Sequence, residues 1–205
     1  MTRLWMRSFM SAFAAIVIAG ATAAAQSAPP MRVRGTIESI EGQRLAIKSR
    51  EGDSIDIRLA DNAPVLGVTK ASLADISVGK FVGVAALPQP DDTLKALEVL
   101  IFPEAARGSG EGHYAWDLLP ESTMTNATVA DSVTGVNGRI LTLKYKDGEK
   151  KIIVPPEAPI VTFSPGDRTL LKPGAAVFVP AAMRPDGELT AARILVGRDG
   201  VVPPM

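Results

Sequence analysis

The stretch "GEGHYAWDLLPESTMTN", residues 110–126, gathers most of what this chain offers for chemistry. It holds the single histidine, His113, and Trp116, one of two tryptophans. His113 and Asp117 are spaced i,i+4 with Glu111 close by, so a helical segment would place imidazole and carboxylate on one face. A carboxylate partner is what orients a metal-bound or proton-transferring imidazole. One His and no Cys fall short of the three or four protein ligands of a tight zinc site. The pair therefore reads more simply as a hydrogen-bonded couple in a packed loop. Trp116 reads as an anchor whose ring fills a gap between folded parts. Its alternative role, a stacking platform, calls for several aromatic side chains, and aromatics are 5% of the chain.

Ser122, Thr123 and Thr125 add hydroxyls. A serine nucleophile needs a base and an oxyanion hole, and neither a G-x-S-x-G elbow nor an S-x-x-K motif is present. Local bonding of these hydroxyls to backbone groups is the simpler expectation. No catalytic residue, metal ligand or cofactor is assigned. Glu111, His113, Trp116 and Asp117 stand as the candidate binding residues, with the first, second and fourth as ligands in a metal-handling alternative. Asn126-Ala127-Thr128 fits a glycosylation sequon.

What must position these residues follows from the rest of the chain. Residues 1–25 read as a helical signal peptide: Arg3 and Arg7, an apolar run over 8–21, and Ala23-Ala24-Ala25 before the cleavage point. The expectation is a soluble protein of the periplasm or one secreted beyond it. There is no cysteine, hence neither a lipid-modified N-terminus nor a disulfide framework. Removing Arg3 and Arg7 leaves 20 basic against 22 acidic residues, a net charge of −2. Such a balance gives no electrostatic reason to bind nucleic acid. No apolar run beyond Pro30 is long enough for a transmembrane helix.

Ile37, then Leu45 and Ile47, then Ile55, Ile57 and Leu59 alternate with polar residues, the period-2 mark of half-buried strands. "EGQ" and "REGD" supply the turns between them. "NAPVLGVTKASLADISVGK" breaks the alternation, and "KASLADI" within it reads as a short helical turn. Strands "KFVGVAAL" and "LKALEVLIF" follow. The plan then repeats at a period near 95 residues: "GQRLAIKSREG" (42–52) lies over "GRILTLKYKDG" (138–148), and "PDDTLKALEVLI" (90–101) over "PDGELTAARILV" (185–196). The expected fold is all-β, with two tandem five-stranded OB-like small barrels over 31–103 and 127–199 joined by a structured connector, 104–126. An SH3-like barrel, or one sandwich of ten strands, is the competing arrangement. Asp91-Asp92, Asp147-Gly148 and Asp186-Gly187 belong to hairpin tips.

With Gly112, His113, Trp116, Asp117 and the run Ser122, Thr123, Met124, Thr125, Asn126 in place after a strand-rich repeat, the chain resembles an exported bacterial domain-of-unknown-function family. The resemblance covers most of the chain beyond the leader and implies OB-like β-barrel repeats. Some members are labelled as associated with metal ABC transporters, which implies a metal-related setting. A permease itself needs membrane-spanning helices that this sequence lacks beyond its leader. The resemblance supplies no catalytic residue. The expected function is a non-enzymatic binding or interaction protein whose partner belongs to the periplasm or cell envelope. The middle-strand faces, including Lys144, Lys146, Lys150 and Lys151, are one candidate surface. A metal-handling accessory and a Ser/Thr hydrolase are the alternatives.

Overall fold

The computed structural model describes residues 30–136 and 138–204; the expected leader and its cleavage site lie outside them. Among the described residues there is no α-helix, only three single-turn 3-10 helices between strands. None of these is long and apolar enough to cross a membrane.

Alternation becomes strand wherever it was read. The first half contains β1 (Met31–Glu41), β2 (Arg44–Ser49), β3 (Ser54–Leu59), β4 (Val65–Lys70), β5 (Phe81–Pro88) and β6 (Leu94–Ile101). Strand β7 (Gly112–Ala115) lies in the connector. The second half repeats the series with β8 (Thr123–Gly135), β9 (Gly138–Tyr145), β10 (Gly148–Val154), β11 (Ile160–Pro165), β12 (Ala176–Met183), β13 (Leu189–Ala191) and β14 (Ile194–Gly197). In β2, Leu45 and Ile47 face inward and are almost fully buried, as are Leu141 and Leu143 in β9. The β1–β2 hairpin sets Glu41 opposite Arg44 across a two-residue turn. Its first turn residue, Gly42, takes φ 61°, a conformation glycine adopts without a Cβ penalty. "KASLADI" forms the expected turn, a 3-10 helix over Leu73–Asp75, with the backbone N–H of Ser72 donating to the Asp75 carboxylate.

One strand per half escaped the sequence reading. β4 and its counterpart β11 lie where the alternation fails, because β4 carries Gly67 in its middle and is covered on both faces. These two strands change the architecture. The strands close into two five-membered rings, and each ring takes three strands from one half and two from the other. In the first ring β1 pairs with β2, β2 with β3, β3 in parallel with β13, β13 with β12, and β12 with β1. In the second, β8 pairs with β9, β9 with β10, β10 in parallel with β6, β6 with β5, and β5 with β8. Neither 31–103 nor 127–199 closes a ring alone, so the tandem division is corrected to an exchange of strands between the halves. It is an intramolecular version of swapping identical elements between protomers.

β4 and β11 carry the chain across. β4 pairs in parallel with β14 and antiparallel with β11, and β11 pairs in parallel with β6, making a four-strand bridge between the rings. Val68 and Phe163 face each other in that ladder. They correspond by the repeat, 95 residues apart, so a local two-fold axis passes between them. The burial follows the same division. One apolar cluster fills the first ring around Ile37, Leu45, Ile47 and Ile194, and another fills the second around Leu141, Leu143, Val99 and Ile152. A third, built on Val68, Leu100, Val161, Phe178 and Leu195, lies in the saddle between them.

Candidate functional site

The connector is a strap whose backbone belongs to one ring and whose Trp116 and Asp117 side chains reach the other. β7 pairs antiparallel with the start of β8, His113 opposite Thr125. The loop that follows is closed by Ser122. Its N–H donates to Leu119 O at 3.1 Å, and its Oγ donates to the same carbonyl at 2.7 Å while accepting from Leu119 N–H at 3.1 Å. Ser122 is 2% exposed. Its hydroxyl is thus spent on the turn, in the local role expected of it.

Because 112–115 is extended, side chains alternate instead of sharing a helical face. This separates the candidate residues and corrects the i,i+4 reading. His113 Nδ1 and Thr125 Oγ1 share a hydrogen bond of 2.8 Å, and the imidazole stacks on Tyr145 with centroids 6.4 Å apart. Burial, and then the charge of Lys150, hold the His113 pKa below its ordinary value. Glu111 Oε1 accepts from the Lys146 backbone N–H at 3.0 Å. Asp117, beyond the strand's end, binds Arg34 at 2.7 Å and Arg32 at 3.3 Å. Burial raises its carboxyl, but the two guanidiniums, Arg34 foremost, outweigh that and keep its pKa low. The three groups of the metal alternative therefore engage three different partners. No group of three metal-capable side chains occurs among the described residues.

On the opposite face of the strap, Tyr114 and Trp116 lie 6.1 Å apart, centroid to centroid. The Trp116 ring joins the saddle cluster and is covered by Arg32, whose Cζ stands 3.9 Å from the ring centroid. Arg32 and Arg34 belong to β1 of the first ring, whereas the strap backbone is held by β8 of the second. Trp116 and Asp117 thus clasp one ring to the other. Trp116→Ala is expected to cost about 2–4 kcal/mol by urea or thermal unfolding, given a half-buried ring and a lost cation–π contact. An unchanged unfolding curve would contradict the clasp.

Under Trp116 and Tyr114 the saddle holds a cavity of about 350 Å³, within the size range of small-molecule sites. Phe102, Phe163 and Phe178 line it with the two strap aromatics. Half of the chain's ten Phe, Tyr and Trp residues thus converge here. The sequence shows no second aromatic row beside Trp116; the fold assembles one from four separate segments. The cavity owes part of its space to an asymmetry of the repeat. Gly83 occupies the position equivalent to Phe178. A Cβ on Gly83 would stand 2.5 Å from Asn126 Oδ1 and 3.0 Å from the Phe102 ring.

Three cavity-lining residues each carry a buried polar atom with no hydrogen-bond partner among the described residues: Glu98 Oε1, Trp116 Nε1 and Asn126 Oδ1. Glu98 is 4% and Asn126 8% exposed. Asn126 Nδ2 donates to Ser109 O at 3.2 Å and to Tyr114 Oη at 3.1 Å, which leaves its oxygen on the unpartnered side. Its burial also removes the sequon as a modification site. Burial pushes the Glu98 carboxyl up to about 7, against the opposing pull of Arg34 and then Arg50. Orphaned buried polar groups are rare in folded proteins and costly.

Glu98 and Arg193, the latter exposed, occupy equivalent places in the two halves, and both line this cavity. Neither was singled out from the sequence. The available signal was the glutamate inside the apolar run "LKALEVLI". A bulge there shifts the β5–β6 register between Ala85 and Ala86. Leu94 and Ala96 before it, and Val99 and Ile101 after it, fill the ring, while Leu100 turns to the saddle. No protein-family model matches the chain, and no match to it was found among the curated proteins or the solved structures.

Proposed function

We propose that this chain is an exported, non-enzymatic binding protein that holds a small, mainly apolar ligand in the saddle cavity beneath the strap. The observation that carries this reading is the convergence of five aromatic rings and three unpartnered buried polar atoms on one space of about 350 Å³. Apolar walls with a few well-placed polar groups are the usual character of ligand pockets. Export rests on the leader pattern, Arg3 and Arg7 before an apolar run and an Ala-x-Ala signal. The OB-like reading of the rings is supported by their strand order, first, second, third, fifth and fourth, with the parallel join between third and fifth. Such barrels commonly serve as binding scaffolds. A binding role also suits the hydroxyl of Ser122 and the imidazole of His113, both engaged in holding the strap.

The test is calorimetric titration of the full chain with 2-naphthol, an uncharged apolar probe. Saturable one-to-one binding is expected in the wild type, with at least a tenfold loss in Leu66→Trp. That substitution places a larger ring into the cavity from a partly exposed position. Its melting curve verifies that the variant is folded. Equal binding by wild type and variant would place the probe elsewhere and remove the cavity from the proposal.

A further inference from the structure

Resting on that reading, we infer that the ligand is a small ring-bearing amine, with its ammonium on Glu98 and Asn126 and its ring among the saddle phenylalanines. Two of the three unpartnered buried atoms are acceptor oxygens, Glu98 Oε1 and Asn126 Oδ1. The Asn126 amide cannot be turned to offer a donor instead, because Ser109 O accepts from its nitrogen. A ligand filling this space must therefore bring N–H or O–H donors to that wall. An ammonium brings three.

Charge selects among donors. Glu98 has no ion pair within 4.0 Å among the described residues. The guanidiniums that act on it have their own engagements: Arg34, on β1, binds Asp117, and Arg50, in the turn after β2, donates to Pro203 O at 3.3 Å. Arg193 stands exposed at the cavity. A buried carboxylate lacking a bonded cation is costly, and a cationic ligand relieves that cost where an alcohol cannot. The walls agree. Phe102 and Phe163 meet edge to face at 5.9 Å, and aromatic faces attract cations. Arg32 and Arg34 already lie over Trp116 and Phe178, so the saddle accepts positive charge on its outer side as well. Trp116 Nε1, a donor, takes a water or a ligand oxygen and does not discriminate among amines.

The experiment compares three probes of one shape by calorimetry with the full chain at pH 8: phenethylamine, 2-phenylethanol and 3-phenylpropionate. Phenethylamine is expected to bind at least tenfold more tightly than either of the others. Glu98→Gln, which keeps the shape and removes the charge, is expected to bring the amine to the level of the alcohol and leave the alcohol unchanged. In the wild type, the preference for the amine is expected to shrink as pH falls from 8 to 5 and Glu98 takes up its proton beside Arg34, Arg50 and Arg193. Equal binding of amine and alcohol, or an amine preference that survives Glu98→Gln, overturns the inference while 2-naphthol binding still upholds the cavity. Tightest binding by 3-phenylpropionate overturns it in favour of Arg193 as the anchoring charge. Failure of all four probes, 2-naphthol included, removes the cavity reading itself.

Discussion

Cutting the chain in the strap, between Gly108 and Gly110, and separating the pieces is expected to unfold both. Residues 1–108 contain β1, β2 and β3 but lack β12 and β13, which close their ring. They also contain β5 and β6, whose ring partners β8 and β10 are on the other piece. Each piece would leave three strands of one ring and two of another with bare edges and half-filled cores. Unpaired edges and exposed apolar faces of that kind favour aggregation over folding. Mixed in equal amounts, the pieces are expected to recover native β circular dichroism and a single cooperative transition. Two independently folded halves, each with its own transition, would show that the rings do not exchange strands. The same exchange makes the rings thermodynamically inseparable in the intact chain. Ile47→Ala in one ring and Leu143→Ala in the other are each expected to lower the one shared midpoint, with a loss of about 2–5 kcal/mol of unfolding free energy for a fully buried aliphatic side chain.

The second large effect is a stability that falls as the pH rises. The Glu98 carboxyl is pushed by burial to about 7 in the folded chain against an ordinary 4.5. The folded state therefore holds this proton more tightly than the unfolded state does. Its stabilising effect is complete below about 4.5, declines as pH rises, and is gone above about 7. The difference corresponds to about 3 kcal/mol. Two groups act in the opposite sense. His113, held below its ordinary value, favours the folded state as pH rises through that region. Asp117, also held low, contributes stability that is lost on acidification below the carboxylate range. The decisive quantity is accordingly the difference between the wild type and Glu98→Gln, measured by chemical unfolding from pH 4.5 to 8. The variant is expected to gain on the wild type by about 3 kcal/mol across that interval. A constant difference would mean that Glu98 is paired and ionised throughout, and the cavity would lose its acidic wall.

Both effects depend on which strands become neighbours in space, although the glutamate inside the apolar run "LKALEVLI" is itself visible in the sequence. The alternation of Leu45 and Ile47, and of Leu141 and Leu143, makes strands in any tertiary setting, because period 2 places those side chains on one face. The glycine and acidic turns at Gly42 and Gly187, and the capped turn at Leu73–Asp75, are likewise local. The likeness of "PDDTLKALEVLI" to "PDGELTAARILV", 95 residues on, is read from residue identities alone. Its very regularity hides the exchange. The strands β5 and β6 present the same apolar faces as β12, β13 and β14, so the sequence pattern fits either pairing equally. The choice is made by β4 and β11, which pair across the local axis and carry each half's last strands to the other ring.

The strap was legible as more than a tether, since Tyr114, Trp116, Leu118 and Leu119 are too apolar for one. Which face each residue takes was not, because an isolated i,i+4 spacing is silent on whether a segment is helical or extended. Pairing with β8 decided it, sending Glu111 and His113 to Tyr145 and Lys146 and turning Trp116 toward the saddle. Glu98 with Phe102, then Asn126, Phe163 and Phe178 come from four separate stretches of the chain and meet only because the halves interlock. Periodicity and turns are properties of neighbours along the chain, and the sequence alone determined them. The closure of the rings and the aromatic cavity are properties of neighbours in space, set by which of two equivalent partners each strand finds.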